Sequence, residues 1–212
     1  MKPQSRRAFI QVAGGGSILL GGCLNRPLPK NNAHWVNDIH SQLNRTHVAG
    51  ILRPKGAEDI QQHFQAGHSI SICGGRHAMG GQQFGTDTWL ADTSSLNGVL
   101  HFDQTNGLLE VEAGIQWPQV LQYLETTQQD KPNPWGFVQK QTGADKLSLG
   151  GAVSANAHGR GLRFQPFVQD IESLRIVNAD GELLECSRTK HRELFRHVIG
   201  GYGLFGFVYS LK

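Results

Sequence analysis

Gly74-Gly75-Arg76-His77-Ala78-Met79-Gly80-Gly81-Gln82 is the stretch on which the fold turns. It follows residues 69–73, where Ile70 and Ile72 alternate with polar neighbours as in a strand, so extended backbone runs straight into glycine. Successive glycines carry no Cβ. Another group can therefore approach the backbone closely and meet a concave run of N–H donors that favours an anion. A phosphate-cradling loop fits this chemistry. The spacing is not G-x-G-x-x-G and no good helix follows, so a nicotinamide dinucleotide fold is not supported.

Working outward, the apolar residues 48–52 stop at Arg53-Pro54, and residues 57–66 carry Ile60 and Phe64 at helical spacing. The order is strand, helix, strand, glycine loop. Beyond the loop, residues 89–92 and 99–103 read as strands, and Asn106-Gly107 predicts a tight hairpin into residues 108–113. Residues 117–126 predict a helix with Trp117, Val120, Leu121 and Leu124 on one face. Residues 171–178, the turn Ala179-Asp180-Gly181 and residues 182–186 make a second hairpin. A helix over 191–199 and a last strand over 205–211 close the chain. Two hairpins among mixed elements argue for an α+β fold and against a purely parallel doubly wound sheet.

Two more glycine segments follow the first. Residues 148–161, Ser-Leu-Gly-Gly-Ala-Val-Ser-Ala-Asn-Ala-His-Gly-Arg-Gly, line up small side chains along which a flat ring could lie. Residues 200–206, Gly-Gly-Tyr-Gly-Leu-Phe-Gly, form a glycine turn entering the last strand. In this order the three segments resemble the FAD-binding, PCMH-type domain of the vanillyl-alcohol oxidase superfamily, the family of cytokinin dehydrogenases, aldonolactone oxidases and berberine-bridge-type enzymes. The resemblance runs from about Val48 to Leu211.

The resemblance implies an α+β, two-subdomain FAD-binding fold. It implies that Gly74, Gly75, Arg76, His77, Ala78, Met79 and Gln82 face the FAD diphosphate. His77 stands where several members carry a His bonded covalently to the flavin 8α carbon. Ser148, Gly150, Gly151 and Ser154 would follow the isoalloxazine and ribityl chain, His158 and Gly159 would lie near the flavin, and Gly203, Gly206 and Val208 would touch its adenosine or ribityl part. The chain departs from the pattern at Arg76, where Gly is common, and at Ala78, where Ser is usual. Thr142 is followed by Gly143, with Asp145 two residues later, rather than by the Asp that serves cytokinin-type enzymes as substrate base. A cytokinin substrate is unsupported. On the residues alone, His77 is either the covalent anchor or a polar loop residue bonded to backbone, and FAD contact survives both; His158 is likewise a flavin neighbour or a structural loop residue.

Composition sets the remaining bounds. The chain has 212 residues, long enough for a real core, and 27 glycines held in clusters rather than in a repeat. Lys2, Arg6 and Arg7 are the only charges in the first 22 residues. Of 20 Lys and Arg, the 17 that remain balance 17 Asp and Glu. The basic excess belongs to a leader, so no nucleic-acid partner is expected. Cys23, Cys73 and Cys186 form no C-x-x-C pair, and the ten His stand at no metal-binding spacing, so no metal is expected. Cys73 and Cys186 read as buried strand thiols, and Trp35, Trp89, Trp117 and Trp135 as packing residues.

Residues 1–22 have the layout of a signal peptide, and Ser5-Arg6-Arg7-Ala8-Phe9-Ile10 resembles the bacterial twin-arginine signal, which exports folded proteins. Leu20-Gly21-Gly22-Cys23 looks like a lipobox, with Cys23 as the lipidated residue and sole membrane contact. Residues 23–32 read as a tether and 33–212 as the FAD-binding domain. The expected location is the periplasm or its membrane face. With FAD held, hydride would pass from a small organic substrate, such as an alcohol or sugar derivative, to flavin N5. In this family the substrate-facing acids and bases come mostly from a cap domain after the last strand. The chain ends at Lys212, so the expectation is the FAD part of an oxidoreductase without its cap. The alternative is a non-catalytic FAD-binding module or split-enzyme subunit partnered by a cap-domain polypeptide. No catalytic residue is assigned.

Overall fold

Strand pairing gives a small parallel sheet and a larger antiparallel one, which meet along one helix, and a separate short antiparallel pair. The computed structural model describes residues 34–140, 145–159, 161 and 163–212. The leader, Cys23, the tether, the Thr142-Gly143 position and Arg160 lie outside them. Among the described residues no helix is long and apolar enough to cross a membrane.

β1 (His34–Val36) and β2 (Thr46–Val48) form a short antiparallel pair. β3 (Gly50–Leu52), α1 (Ala57–Gln65) and β4 (Ile70–Cys73) make a β-α-β unit, because parallel strands need a crossover and the helical spacing of Ile60 and Phe64 supplies one. Glu58 and Asp59 in the first turn of α1 suit its positive end. The chain then returns as β5 (Trp89–Asp92) between β3 and β4, parallel to both. Leu90, Ala91 and Asp92 are buried there, as a central strand requires.

The second sheet holds β6 (Val99–Asp103), β7 (Leu108–Glu112), β8 (Ser173–Val177), β9 (Leu183–Ser187) and β10 (Phe207–Leu211), in the spatial order β6-β7-β10-β8-β9, all antiparallel. The last strand thus lies at the centre of the sheet. α2 (Trp117–Thr127) begins with a reciprocal cap between Gln116 and Gln119 and with Pro118, whose missing N–H costs nothing in a first turn. α2, α3 (Leu149–Ser154) and α4 (Arg192–Val198) cover this sheet with Trp117, Val120, Val153, Phe195 and Val198. A second core joins the sheets: Ala57 and Ile60 of α1 and Ala91 of β5 pack with Val177 of β8 and Phe207 of β10. Truncating the fully buried Phe207 to Ala would remove about 3–5 kcal/mol.

The fold is α+β, with one parallel sheet, one large antiparallel sheet and the short antiparallel pair β1–β2. Four expectations change in detail. The stretch 48–52 belongs to two sheets, because the chain passes from β2 to β3 at Ala49. Asn106-Gly107 is the end of a four-residue loop, since Asp103 pairs with Leu108 and leaves Gln104, Thr105, Asn106 and Gly107 between the strands. Leu121 is 44% exposed, because Trp117, Val120 and Leu124 already form the stripe that meets the sheet. Trp35 and Trp135 are half-exposed and pack at the surface, Trp35 beneath Arg45 and Trp135 over Gly107, whereas Trp117 is fully buried. Cys73 and Cys186 are both buried thiols.

Candidate functional site

The three glycine segments converge. Residues 74–82 leave the end of β4, α3 opens the second segment, and the third segment leads into β10. Backbone hydrogen bonds fasten them: Leu149 donates to the Ile115 carbonyl at 2.9 Å and Gly150 to that of Ala113 at 2.8 Å. At the far end of α3, Gly200 donates to Val153 at 3.1 Å and Tyr202 to Ser154 at 3.1 Å. Ser148 caps α3 by accepting from the Gly151 N–H at 3.3 Å. A Cβ on Gly74 would lie 2.0 Å from the Ser148 oxygen, and one on Gly150 2.6 Å from Ala113 Cβ, so only glycine lets the first two segments and the sheet edge come this close.

Between them lies a cleft of about 270 Å³. Its walls carry Gly74, Gly75, Arg76, His77, Ala78 and Gln82 from the first segment, Ser148, Gly150, Gly151 and Ser154 from the second, and Gly203, Gly206 and Val208 from the third. Two of its residues, Arg76 (φ +56°) and Tyr202 (φ +49°), sit in the left-handed region, at about 1–2 kcal/mol each for a residue with a Cβ. Strain of this kind concentrates where a site over-determines the backbone.

Polar groups in the first wall are left unspent. Among the described residues, no protein acceptor takes the N–H of Gly75, Arg76, His77 or Ala78. Gln83 is buried beside them; its amide donates to the Ala78 carbonyl at 3.0 Å while its side-chain oxygen has no partner. An unpaired buried acceptor costs about 1–3 kcal/mol, and this one is open to a donor from outside the protein.

His77 faces the same cleft. Its Nδ1 lies 3.0 Å from His40 Nε2, and a ring nitrogen bonds to the Lys146 backbone. Burial, with the charges of His40 and Lys146, holds its imidazole below the ordinary value, the bond to Lys146 opposing in part. His77 is therefore neutral near pH 7. Cys73, at the end of β4, is pushed up to about 12 by burial and by Asp92 and is no nucleophile. No group of three or more His, Cys, Asp or Glu able to hold a metal occurs among the described residues.

A family model described as "FAD binding domain" matches residues 48–187. The chain belongs to this FAD-binding domain family. It is 28% identical over 185 residues, 85% of this chain and 39% of the relative, to an uncharacterized oxidoreductase of the fasciation locus of Rhodococcoides fascians. It is 30% identical over 160 residues to L-gulono-1,4-lactone dehydrogenase of Mycobacterium tuberculosis, covering 74% of this chain and 36% of that one. It is 27% identical over 209 residues to the mitochondrial D-2-hydroxyglutarate dehydrogenase of Danio rerio, covering 92% and 37%. The chain spans well under half the length of these curated relatives. The chain shares with these oxidoreductase and dehydrogenase relatives an FAD-binding domain, and FAD is its cofactor.

The cleft of this FAD-binding domain fits the cofactor on observations of its own. Four successive free amides answer a diphosphate, and the orphaned Gln83 oxygen answers a hydroxyl or ring N–H. Of the residues singled out in the sequence, three do not line it. Met79 is 63% exposed, its carbonyl held instead by the Asn44 amide at 2.6 Å. The His158 side chain turns back to the Gly159 carbonyl at 2.9 Å and is exposed, and Gly159 lies with it away from the cleft. Conversely, Ile72, Gln83, Thr93, Ala113, Leu147, Ala155 and Tyr202 line the cleft without having been singled out as cofactor residues. Ile72 lies two residues before the first glycine segment and Tyr202 inside the third, so both were within reach of the sequence pattern. Thr93 and Ala113 come from distant strand ends and carry no local signal.

Proposed function

We propose that this domain carries the FAD of an oxidoreductase that removes hydride from a small hydroxyl-bearing substrate, an alcohol or a sugar-derived compound. Bound FAD supplies the hydride acceptor, flavin N5. In this reading the amides of Gly75, Arg76, His77 and Ala78 bind the diphosphate. Gln83 accepts from the ribityl chain or the ring, and Ser148, Gly150, Gly151 and Ser154 form the small-residue wall along which the ring lies. Gly203, Gly206 and Val208 close the other side. His77, neutral and facing the cleft, is the candidate for covalent attachment. The observation that carries the reading is the row of unspent amides beside an orphaned buried acceptor where three glycine segments meet. Two relatives, an L-gulono-1,4-lactone dehydrogenase and a D-2-hydroxyglutarate dehydrogenase, support the hydroxyl-bearing substrate class.

Protein purified with its cofactor should be yellow, and its flavin should be bleached anaerobically by a hydroxy acid or an aldose-derived compound. Flavin fluorescence on a denaturing gel, lost in His77→Ala, tests the covalent bond separately. A colourless protein that takes up no added FAD contradicts the whole reading. The second reading, an FAD module completed by a cap-like polypeptide, is favoured by Leu204 and Phe205, 84% and 44% exposed between the cleft residues Gly203 and Gly206. Residues 1–22 are proposed to direct twin-arginine export, with Cys23 lipidated. Undiminished export of the Arg6→Lys, Arg7→Lys double variant, which keeps the charge but loses both guanidinium forks, would contradict that.

A further inference from the structure

His40 has no place in the function proposed above, yet it is the side chain that touches His77. We propose that His40 is a positioning residue: it donates from Nε2 to His77 Nδ1 and thereby fixes the tautomer and ring orientation of the histidine that faces the flavin cleft. The inference rests on His77 being a cofactor-facing residue and deepens that reading.

The assignment follows from which atoms can donate. A Cβ built on Gly75 would lie 2.6 Å from the Lys146 carbonyl oxygen and 3.3 Å from His77 Nε2, so these two atoms converge on one point. A carbonyl only accepts. The backbone bond between His77 and Lys146 therefore has Nε2 carrying the proton, and in the neutral ring Nδ1 keeps the lone pair. His40 Nε2, 3.0 Å from that lone pair, must be the donor. With Nε2 held by Lys146 and Nδ1 by His40, the imidazole of His77 has one tautomer and one orientation before any flavin is attached.

His40 is exposed and would not hold such a position by itself. Its backbone is fixed by Asp38, which is buried and gathers donors: the N–H groups of His40 at 2.9 Å, Ser41 at 2.7 Å and Gln42 at 3.2 Å, the Ser41 hydroxyl at 3.0 Å and the Asn44 amide at 2.9 Å. Burial works to raise the Asp38 carboxyl, but these donors, Asn44 foremost, outweigh it and hold the group well below the usual carboxylate range. The same 37–44 loop grips the glycine loop on both sides of His77. Ile39 donates to the Arg76 carbonyl at 3.2 Å and Asn44 to that of Met79 at 2.6 Å. The β1–β2 connection thus acts as a brace whose centre is Asp38 and whose contact with the imidazole is His40. The titratable and charged groups around His77 are His40 on this brace, Lys146 ahead of α3 and Arg76 beside it in the chain.

The test uses the full chain labelled with nitrogen-15 histidine. In long-range proton–nitrogen spectra of the flavin-free parent, His77 should show a protonated Nε2 and a bare Nδ1, and remain neutral to below pH 6.5, the ordinary value. In His40→Ala the ring should exchange between tautomers and titrate at higher pH, because the donor that occupies its Nδ1 lone pair is gone. FAD affinity should fall about fivefold, the loss of one hydrogen bond. In His40→Gln, whose amide can donate but cannot become charged, the parent tautomer should return, which a merely structural role for His40 would not produce. A His77 with its proton on Nδ1, or one whose tautomer and titration are the same in His40→Ala as in the parent, would overturn the proposal. Flavin that washes out of the denatured parent defeats covalent attachment alone and leaves this result to stand or fall on the spectra.

Discussion

Of the loops that follow strands in this molecule, two treat their own polar groups in opposite ways. The loop of Gln104, Thr105, Asn106 and Gly107 is self-satisfied. Asp103 accepts from the Thr105 N–H at 2.9 Å, the Asn106 N–H at 3.1 Å and the Asn106 side chain at 2.7 Å. These bonds, that of the Asn106 side chain first, hold the Asp103 carboxyl below its ordinary range. The 74–82 loop instead leaves the amides of Gly75, Arg76, His77 and Ala78 free beside an orphaned acceptor on Gln83, and it tolerates Arg76 in the left-handed region. A turn that exists to reverse the chain satisfies itself. In the proposed reading the second loop keeps its donors in reserve for a ligand, and the 37–44 loop braces it from outside.

Substitutions that strike one loop and spare the other should separate these roles. The largest effect is expected from Gly75→Glu: a Cβ there would stand 2.6 Å from the Lys146 carbonyl, and the carboxylate would face the diphosphate. FAD affinity should fall at least about 100-fold, or about 2.7 kcal/mol, by titration of flavin fluorescence. Gly107→Ala should act on stability alone. Its φ of +66° and the Trp135 ring 2.8 Å from the new Cβ should cost about 1–2 kcal/mol in denaturant unfolding, with FAD affinity unchanged. A loss of FAD binding in that variant would erase the distinction between the loops. Gln83→Leu should have the smallest effect. The free protein exchanges one lost hydrogen bond for the removal of an unpaired acceptor and should change by less than about 1 kcal/mol, while FAD affinity falls about tenfold.

Much of this contrast could be read from the residues in order. Ile70 and Ile72 alternate into glycine, and that change of period marked both the strand and the site. The hairpin at Asn106-Gly107 was visible too, though its length depends on Asp103 pairing with Leu108 across the sheet. α3 was hidden because it is six residues beginning Leu-Gly-Gly, a poor helix former, held by Ile115 and Ala113 from another element. Gln82 and Gln83 are neighbours of identical type. The positive φ of Gly81 turns the chain just before them, and Gln83 is the one that ends up buried, an outcome that no local pattern distinguishes. His40 stands 37 residues before His77, and only the Asp38-centred loop brings them together. Short-range periodicity therefore found the walls of the cleft. The groups that brace it and those it leaves unpaired depend on tertiary contact.

The most direct test of the account is amide hydrogen exchange of the chain with and without FAD, comparing Gly75, Arg76, His77 and Ala78 with Thr105 and Asn106. The first four should exchange fast in the free protein and become protected when FAD binds, while the two hairpin amides, already bonded to Asp103, should not change. FAD bound at saturation with no gain of protection over residues 75–78 would contradict the assignment of this loop to the cofactor.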